Sequence, residues 1–524
     1  MIKILIPLFV LLFIPSALFG QLYQFNGEGA DDRFGYSVDA AGDVNADGFD
    51  DLLVGAFSSN NNGIESGSAY VYSGADGSLL YQWDGQNTYD RFGESVSAAG
   101  DANGDGFDDV IVGALNTDSN GSNSGSAYLY SGVDGSLLYQ WDGQDTADTF
   151  GESVSAAGDV NNDGFDDIII GADGAESNGL SDNGSAYVYS GADGSLLHRW
   201  DGQDHTDRFG WCVSGAGDVN SDGFDDLIVG AFSANNNGTE SGSAYVYSGA
   251  DGSLLYQWSG QNAGDYFGGS VSGAGDVNGD GFDDLIVGAH WADPNGYNSG
   301  SAYVHSGADG SLIYQWDGQN AGDHFGLPAS GAGDVNSDGV NDIIIGAHWA
   351  DPNGTTSGSA YAYSGLDGSL LRQWDGSQAD DRFGRCVAGA GDVNGDGTDD
   401  LIIGAYGADE NGSFSGSAYV YYLSATYSIT PMTAGSPATF TISGAEPNTN
   451  VILGYSLSGA GPFTTAFGIV DMTPPVNTLT ILSANANGDA SWTVNVPGSA
   501  SGRTLYTQGL NAGLLTNSVA ELIN

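Results

Sequence analysis

The nonapeptide Asp43-Val44-Asn45-Ala46-Asp47-Gly48-Phe49-Asp50-Asp51 returns in close copies six more times along the chain. The copies begin at Asp43, Asp101, Asp159, Asp218, Asp276, Asp334 and Asp392. They are spaced by 58 residues, except for 59 residues between the third and the fourth. The chain is therefore a repeat protein of seven units.

Each copy carries oxygen-bearing groups at fixed offsets, as a hard cation requires. Calcium takes roughly six to eight oxygen ligands, and a Gly at position 6 allows the sharp bend that turns alternate side chains inward. Position 1 is Asp43, Asp101, Asp159, Asp218, Asp276, Asp334 or Asp392. Position 3 is Asn45, Asn103, Asn161, Asn220, Asn278, Asn336 or Asn394. Position 5 is Asp47, Asp105, Asp163, Asp222, Asp280, Asp338 or Asp396. Position 9 is Asp51, Asp109, Asp167, Asp226, Asp284, Asp342 or Asp400. Position 7, which offers its backbone carbonyl, is Phe49, Phe107, Phe165, Phe224, Phe282, Val340 or Thr398. We predict up to seven Ca²⁺ ions, one per repeat.

Ordinary turns and EF-hands also contain Asp, Asn and Gly. Asp, Asn and Gly are common in ordinary turns, but a turn needs one or two such residues rather than four oxygen donors at fixed offsets. An EF-hand needs a Glu at position 12 and flanking helices. Position 12 of the first copy is Val54, and the flanking residues read as β-strands. The sequence therefore favours a cation loop between two strands.

The composition excludes several classes of protein. The chain has 67 acidic and 9 basic residues, for a formal net charge of −58, so nucleic acid is not an expected partner. We interpret the excess acid as a surface suited to solubility or a saline habitat. With 86 Gly and 11% aromatic residues, the chain fits many short strands joined by tight turns. The predicted class is all-β.

The N-terminus and the cysteines bear on localisation. Residues 1–20 combine Lys3, an apolar block and small residues at the end, which predicts a signal peptide and a secreted or cell-surface protein. A membrane anchor is the alternative, although the block is short for a span. No later stretch is apolar enough to insert into a membrane.

Cys212 and Cys386 lie in repeats three apart, so we predict free buried thiols rather than a disulfide.

Each repeat reads as four antiparallel strands whose middle members are apolar on both faces. Seven such sheets packed face to face form a seven-bladed β-propeller. The seventh repeat ends after its third strand, whereas Leu22-Tyr23-Gln24-Phe25-Asn26 matches the fourth strand of other repeats. We predict that residues 22–26 complete the last blade, and that the propeller domain covers residues 21–423.

The Phe-Gly pairs such as Phe34-Gly35, the Asp-rich loops and the following Val54-Gly55-Ala56 together resemble FG-GAP repeats, the units of the integrin α N-terminal propeller. The resemblance covers residues 22 to about 423. It implies calcium loops between the first and second strands on one face, and partner binding on the opposite face. All seven copies here keep the cation ligands, whereas integrin subunits usually keep them in some blades only. Integrin leg domains and a transmembrane helix are not found in the sequence, so integrin signalling is not implied.

The composition changes at about residue 425, where Asp becomes scarce and Thr, Ser and Pro increase. Four segments there read as strands: residues 438–442, 451–455, 478–482 and 491–496. They suggest that residues 425–524 form an immunoglobulin-like β-sandwich without its Cys-Trp-Cys pattern, acting as a spacer or an attachment module.

Three functions remain open on the sequence. An extracellular adhesion or interaction module would bind a protein or glycan on the loops that carry His290, Trp291, His348 and Trp349, although these side chains could instead fill gaps between blades. A hydrolase or lyase of polysaccharide or phospholipid is the second possibility, but no His occurs at the spacing of a catalytic triad or a zinc site. A structural component of a matrix or surface layer is the third. We expect a binding protein, not an enzyme.

Overall fold

The computed structural model describes residues 20–423 in full, and the backbone of nine strands between residues 426 and 522. The predicted signal peptide lies outside the described residues apart from Gly20. The described part consists of strands and turns, and it contains no helix long and apolar enough to span a membrane.

Residues 21–423 form seven four-stranded antiparallel sheets, which confirms the seven-bladed propeller. Blade 1 consists of β2 (Ser37–Gly42), β3 (Asp51–Ala56), β4 (Ser68–Tyr72) and β5 (Leu79–Asp84). Blade 2 consists of β6 (Val96–Gly100), β7 (Asp109–Ala114), β8 (Ser126–Tyr130) and β9 (Leu137–Asp142). Blade 3 consists of β10 (Val154–Gly158), β11 (Asp167–Ala172), β12 (Ser185–Tyr189) and β13 (Leu196–Asp201). Blade 4 consists of β14 (Phe209–Gly217), β15 (Asp226–Ala231), β16 (Ser243–Tyr247) and β17 (Leu254–Ser259). Blade 5 consists of β18 (Ser270–Gly275), β19 (Asp284–Ala289), β20 (Ser301–His305) and β21 (Leu312–Asp317). Blade 6 consists of β22 (Ala329–Gly333), β23 (Asp342–Ala347), β24 (Ser359–Tyr363) and β25 (Leu370–Asp375).

The last blade combines the two ends of the repeat region. Its inner three strands are β26 (Cys386–Gly391), β27 (Asp400–Ala405) and β28 (Ser417–Tyr421), and its outer strand is β1 (Gln21–Asn26). β1 pairs antiparallel with β28, with Phe25 opposite Ala418. The first strand of the chain therefore joins the ring at its last blade.

Neighbouring blades are held together by apolar cores, one between each adjacent pair around the ring. All six residues of β3 are buried, and successive side chains point to opposite faces of the sheet. Leu52 and Val54 pack against blade 7, whereas Leu53 packs against blade 2. A strand buried on both faces reads as a continuous apolar run, which is why the second strand of every repeat does so.

The Phe-Gly pair at the start of each repeat fills the space between blades. Phe34 is 1% exposed and packs in the core between blades 7 and 1. Gly35 has φ +79°, and a Cβ at this position would collide with the carbonyl oxygen of Ser417. Only Gly combines this backbone conformation with so close an approach.

Nine further strands follow the propeller: β29 (Thr426–Ile429), β30 (Pro437–Ser443), β31 (Asn450–Ser456), β32 (Phe463–Thr465), β33 (Gly468–Val470), β34 (Asn477–Ser483), β35 (Ala490–Asn495), β36 (Thr504–Asn511) and β37 (Leu514–Leu522). They form sheets ordered β29-β30-β35, β34-β31-β36-β37 and β32-β33. The four strands predicted here are present as β30, β31, β34 and β35. The connecting residues lie outside the described part, and the immunoglobulin-like sandwich stays a prediction.

Candidate functional site

The seven acidic loops connect the first and second strands of their blades, so they all lie on one face of the ring, called here the cation-loop face. Positions 1 to 8 belong to the turn, and position 9 is the first residue of the second strand, as Asp51 is in β3. The four other donor residues of a loop therefore sit on the turn, whereas the carboxylate at position 9 is anchored on a buried strand.

Hydrogen bonds fold each loop around its own side chains. The two carboxylate oxygens of Asp43 accept the N–H groups of Asp47 and Gly48, at 3.0 and 2.9 Å. Oδ1 of Asp47 accepts the N–H of Phe49 at 3.1 Å. These three bonds recur in all seven loops. The loops thus share one conformation.

The Asn at position 3 is oriented by the Asp at position 9. Nδ2 of Asn45 donates to Oδ2 of Asp51 at 3.1 Å, and the other six loops contain the same Asn–Asp hydrogen bond. Because the amide nitrogen is used in this way, the amide oxygen of Asn45 is left as an acceptor.

The carboxylates at position 9 are buried. Asp51 is fully buried, and burial raises its pKa to about 7, with repulsion from Asp47 and Asp43 adding to the rise and the N–H of Gly74 opposing it. The pKa is likewise raised at the other six, to about 7 at four of them and to about 8 and 9 at the last two: Asp109, Asp167, Asp226, Asp284, Asp342 and Asp400. A bound cation would favour the charged form of each group.

The donor set fits a hard divalent cation, since it consists of carboxylate, amide and carbonyl oxygens only. Within the described residues, however, no three His, Cys, Asp or Glu side chains converge closely enough to hold a metal ion. The loops therefore have the composition of a calcium site without a closed cage of acidic groups.

A second role of the loop was missed from the sequence. Oδ2 of Asp108, at position 8 in blade 2, accepts the N–H of Asp43 in blade 1 at 2.9 Å. Equivalent bonds join five more pairs of blades, including blade 7 to blade 1 through Asp392 and Asp50 at 2.8 Å. Position 8 is Asp in six copies and Asn341 in the other. This near-constant Asp is the sequence signal that could have indicated the contact. These contacts fasten six of the seven cation loops to the next blade.

The four predicted partner-binding residues lie on the face opposite the cation loops, just after β19 and β23. Trp291 and Trp349 are 37% and 42% exposed, whereas His348 is buried and its Nδ1 lies 3.1 Å from the carbonyl oxygen of Leu327. His324 links the two tryptophans, with ring centroids 6.2 Å from Trp291 and 5.1 Å from Trp349. The structure therefore brings together two partly exposed tryptophans and adds His324 to them, whereas His290 is half-buried.

Comparison with known families gives a match in every blade. The FG-GAP repeat family matches residues 34–72, 150–189, 209–247, 267–305, 328–363 and 383–421, and a second FG-GAP repeat family matches residues 84–130. The chain is an FG-GAP repeat protein.

Among curated proteins, the chain is similar to integrin α subunits. It is 32% identical to integrin alpha-5 of Xenopus laevis over 218 residues and to integrin alpha-8 of Mus musculus over 219 residues. It is 31% identical to integrin alpha-V of Gallus gallus over 217 residues. Each match covers 38% of this chain and 20% of the relative, so the chain spans about a fifth of the length of these relatives. Among solved structures, a europium-containing methanol dehydrogenase aligns with a TM-score of 0.31 and 10% identity, over 79% of this chain and 70% of that one, a likeness too low to carry an argument.

The two cysteines of this FG-GAP protein are free, as predicted, and half-buried. Each lies on the inner strand of its blade and contacts the next inner strand. Sγ of Cys386 lies 3.4 Å from the backbone nitrogen of Val38, and Sγ of Cys212 lies 3.6 Å from the carbonyl oxygen of Val271. Burial raises the pKa of Cys212 to about 11, so this thiol is protonated and unreactive at neutral pH.

Charged residues at the mouth of the central channel were missed from the sequence. The channel mouth is defined here as the ring of residues that follow Phe-Gly in the seven repeats, on the face opposite the cation loops. Arg385 in blade 7 donates from Nη2 to the hydroxyl of Tyr36 in blade 1 at 2.6 Å, and its guanidinium lies 4.2 Å from the centre of that ring. Burial raises the pKa of Glu94 and Glu152, while Arg385 opposes both shifts. These residues are far apart in sequence and meet only because the ring closes.

Proposed function

We propose that the protein is a secreted, calcium-binding β-propeller that acts as an extracellular adhesion or interaction module for a protein or glycan. The observation that carries this proposal is the separation of two kinds of residue between the two faces. Seven near-identical acidic loops occupy one face, whereas the exposed tryptophans and the unrepeated charged residues occupy the other. A repeated set of sites suits structural ions, and a single unrepeated patch suits a specific partner.

Calcium is proposed to stabilise the blades. Each ion would be held by the side chains of Asp43, Asn45, Asp47 and Asp51 and the carbonyl of Phe49, or by their counterparts in the other repeats. The bound ion supplies the positive charge that these clustered carboxylates lack. Because the loop is fastened to the next blade through position 8, ordering a loop also stabilises an interface between blades. Folding and ion binding are then coupled.

Secretion is supported by the signal-peptide pattern of residues 1–20. It also agrees with the proposed chemistry, because extracellular calcium modules operate at roughly 10⁻⁴ to 10⁻³ M calcium. The proposed role is binding rather than catalysis.

The partner face is proposed to centre on Trp291 and Trp349. Exposed aromatic side chains of this kind carry much of the binding energy in protein interfaces. They lie on one side of the channel mouth, near His324, so a partner would contact blades 5 and 6 first.

A pull-down with the full secreted protein tests this function. Extracellular-matrix and cell-surface fractions are passed over the immobilised protein in millimolar calcium and in excess EDTA. We expect a specific partner to be retained in calcium and lost in EDTA. The double variant Trp291→Ala, Trp349→Ala should reduce retention at least about tenfold. Tyr89→Ala is the matched control, since Tyr89 is a 53% exposed aromatic residue outside this cluster. Equal retention by all three proteins would contradict the proposed partner face.

A further inference from the structure

One position of the repeat concentrates arginine in a chain that contains little of it. The chain has 9 Lys and Arg residues against 67 acidic ones. The residue just before Phe-Gly is, in order along the seven repeats, Arg33, Arg91, Thr149, Arg208, Tyr266, His324 and Arg382. Four of the nine basic residues therefore occupy a single repeat position.

The backbone at this position is costly for the side chains that it carries. All seven residues have φ between 53° and 57°, in the left-handed region. None of them is Gly, Asn or Asp, the residues that adopt this conformation at the least cost. The position instead carries long, branched or aromatic side chains, which indicates a role that Gly or Asn would not serve.

Two of the arginines contact the ring of Tyr406. The guanidinium carbon of Arg33 lies 5.9 Å from the centre of that ring, and the guanidinium carbon of Arg382 lies 5.7 Å from it. Arg382 also lies 5.0 Å from the ring centre of Trp349. Such cation–π contacts hold a guanidinium by its face, so the N–H groups at its edge stay available to a ligand.

The same pattern continues into blade 1. The guanidinium carbons of Arg33 and Arg91 both lie 5.4 Å from the ring centre of Phe57. Arginines and aromatic rings thus alternate without a break from blade 6 to the start of blade 2, on the face opposite the cation loops. The arginine–aromatic arc is defined here as Trp349, Arg382, Tyr406, Arg33, Phe57 and Arg91.

Only one arginine of the arc is paired with carboxylates. Arg91 lies 3.5 Å from a carboxylate oxygen of Glu65 and 3.7 Å from one of Glu94. Among residues 20–423, no carboxylate oxygen lies within 4.0 Å of the guanidinium nitrogens of Arg33 or Arg382, and neither guanidinium donates a hydrogen bond. Both side chains are half-buried. Two neighbouring cations therefore lack a counter-ion in a strongly acidic protein.

The acidic residues next to these two arginines are used in their own turns. Asp32 and Asp381 each accept the backbone N–H three residues earlier, at 2.6 and 2.8 Å. Glu94 also lies in the field of Arg33, but burial raises the pKa of this carboxyl to about 7, so it is only partly charged at neutral pH. An anion from outside the chain would relieve the repulsion between the unpaired guanidinium groups.

The composition of the arc suits a protein partner. Arg, Tyr and Trp are the residue types that carry most binding energy in protein interfaces, and a guanidinium edge binds a carboxylate through two parallel hydrogen bonds. A long anionic polysaccharide would also run over the surrounding surface of a molecule of formal net charge −58. An acidic segment on a folded partner can instead contact the arc alone.

We infer that the arginine–aromatic arc binds an acidic segment of a partner protein, with side-chain carboxylates of the partner on the free N–H edges of Arg33 and Arg382. This inference rests on the proposed function, since it names the partner chemistry of the same face. Trp349 belongs both to the arc and to the proposed partner face, so the two surfaces are continuous. The partner supplies the ion pairs that these two arginines do not make within the chain.

The test measures binding of the full protein to defined probes by isothermal titration calorimetry in calcium. The probes are hexaglutamate, neutral hexaglutamine and hexagalacturonate, which carries its carboxylates on a sugar chain. The salt concentration is about 0.15 M, where the Debye length is about 8 Å and distant surface charges are screened. The main variant is the double substitution Arg33→Gln, Arg382→Gln.

The matched control is Arg199→Gln. Arg199 also lies over an aromatic ring, 5.0 Å from the centre of Tyr187, but it belongs to the outer strand β13 and is paired with Asp201 at 2.8 Å. The control therefore removes the same charge from outside the arc. Because the cation loops are unchanged in every variant, a peptide bridged to them by calcium would bind all of these proteins equally.

We expect hexaglutamate to bind the wild type with a Kd below about 1 mM and hexaglutamine not to bind. The double variant should weaken the binding of hexaglutamate at least about tenfold, and Arg199→Gln should leave it unchanged, with equal melting temperatures for all three proteins. If the double variant fails to fold, Arg33→Lys, Arg382→Lys replaces it. Lys keeps the charge but lacks the planar fork, so binding should weaken about threefold.

Three results would overturn the inference. They are no binding of hexaglutamate, binding of hexagalacturonate alone, and wild-type affinity in the folded double variant. Sedimentation of the free protein adds a fourth, because self-association that the double variant abolishes would place a second copy of this chain on the arc.

The pull-down separates this inference from the broader proposal. If a partner is retained through Trp291 and Trp349 but is held equally well by the folded Arg33 and Arg382 variant, the interaction module stands and the acidic-segment site falls. If no partner is retained and hexaglutamate does not bind, both fall.

Discussion

Replacing Phe25 by Ala should loosen the strand that closes the ring. Phe25 is 9% exposed and its ring lies 4.2 Å from that of Tyr72 in blade 1, so the substitution removes almost a full aromatic side chain from the seam between blades 7 and 1. Burying about 150 Å² of aromatic surface stabilises by about 4 kcal/mol. No hairpin turn joins β1 to its partner β28. The lost free energy therefore lowers directly the free energy needed to detach β1 from the sheet.

Native-state hydrogen exchange in calcium measures this effect. If about 3 to 4 kcal/mol is lost from the detachment equilibrium, the amides of β1 that pair with β28 should exchange between about 100-fold and 1000-fold faster than in the wild type. Trp141→Ala is the matched control. Trp141 has the same place in blade 2 and the same exposed fraction of 9%, but its strand, β9, is joined to β8 by a short turn. Unchanged amide exchange in β1 of the Phe25 variant would refute this reasoning. So would an increase in the exchange of β9 in the Trp141 variant that is as large as the one expected for β1 and is likewise confined to that strand.

Three further predictions concern the loops and the inner strands. Excess EDTA should lower the melting temperature by many degrees, because the proposed ions bind only the folded loops; an unchanged melting curve would show that the loops need no ion. Asp108→Ala should destabilise the protein by about 1 to 2 kcal/mol in urea unfolding with calcium, because the N–H of Asp43 loses its acceptor across the blade interface; a change near zero would mean that this contact contributes no stability. Asp39→Asn should stabilise the protein increasingly between about pH 4 and pH 6, by about 1 kcal/mol after allowing for solvent screening. Burial raises the pKa of Asp39 to about 6, so the folded state prefers the protonated form and loses stability as the pH rises through that value; a pH-independent difference between the variant and the wild type in urea unfolding would contradict this.

The repeated features of the fold were predictable because each is local in sequence. The loop residues lie within nine positions, and their spacing of about 58 residues indicates the number of blades. The second strands read as apolar runs because they are buried on both faces. Residues 21–27 match the fourth strands of other repeats in sequence. The pairing of β1 with β28 places them where the fourth strand of the last blade belongs.

The channel mouth was not predictable in the same way, because its contacts join residues that are far apart in sequence. Arg385 and Tyr36 are 349 residues apart, and their contact depends on closure between blades 7 and 1. Comparing repeats with each other marks these positions as variable, but it does not say which variable residues meet. The same limit applies to Asp108 and Asp43, which lie 65 residues apart in neighbouring loops and touch because blades 1 and 2 pack against each other.

The pairing of β1 with β28 also sets the order in which the propeller can be completed. Ser417 donates a hydrogen bond to Asn26, a partner 391 residues earlier in the chain. Individual blades can form as they are synthesised, since each hairpin is local, but the seam stays open until the final repeat has been made. If the protein is secreted as proposed, the emerging chain would present unpaired edge strands until nearly all of its length had crossed the membrane, and its vulnerability to aggregation would be greatest just before the ring closes.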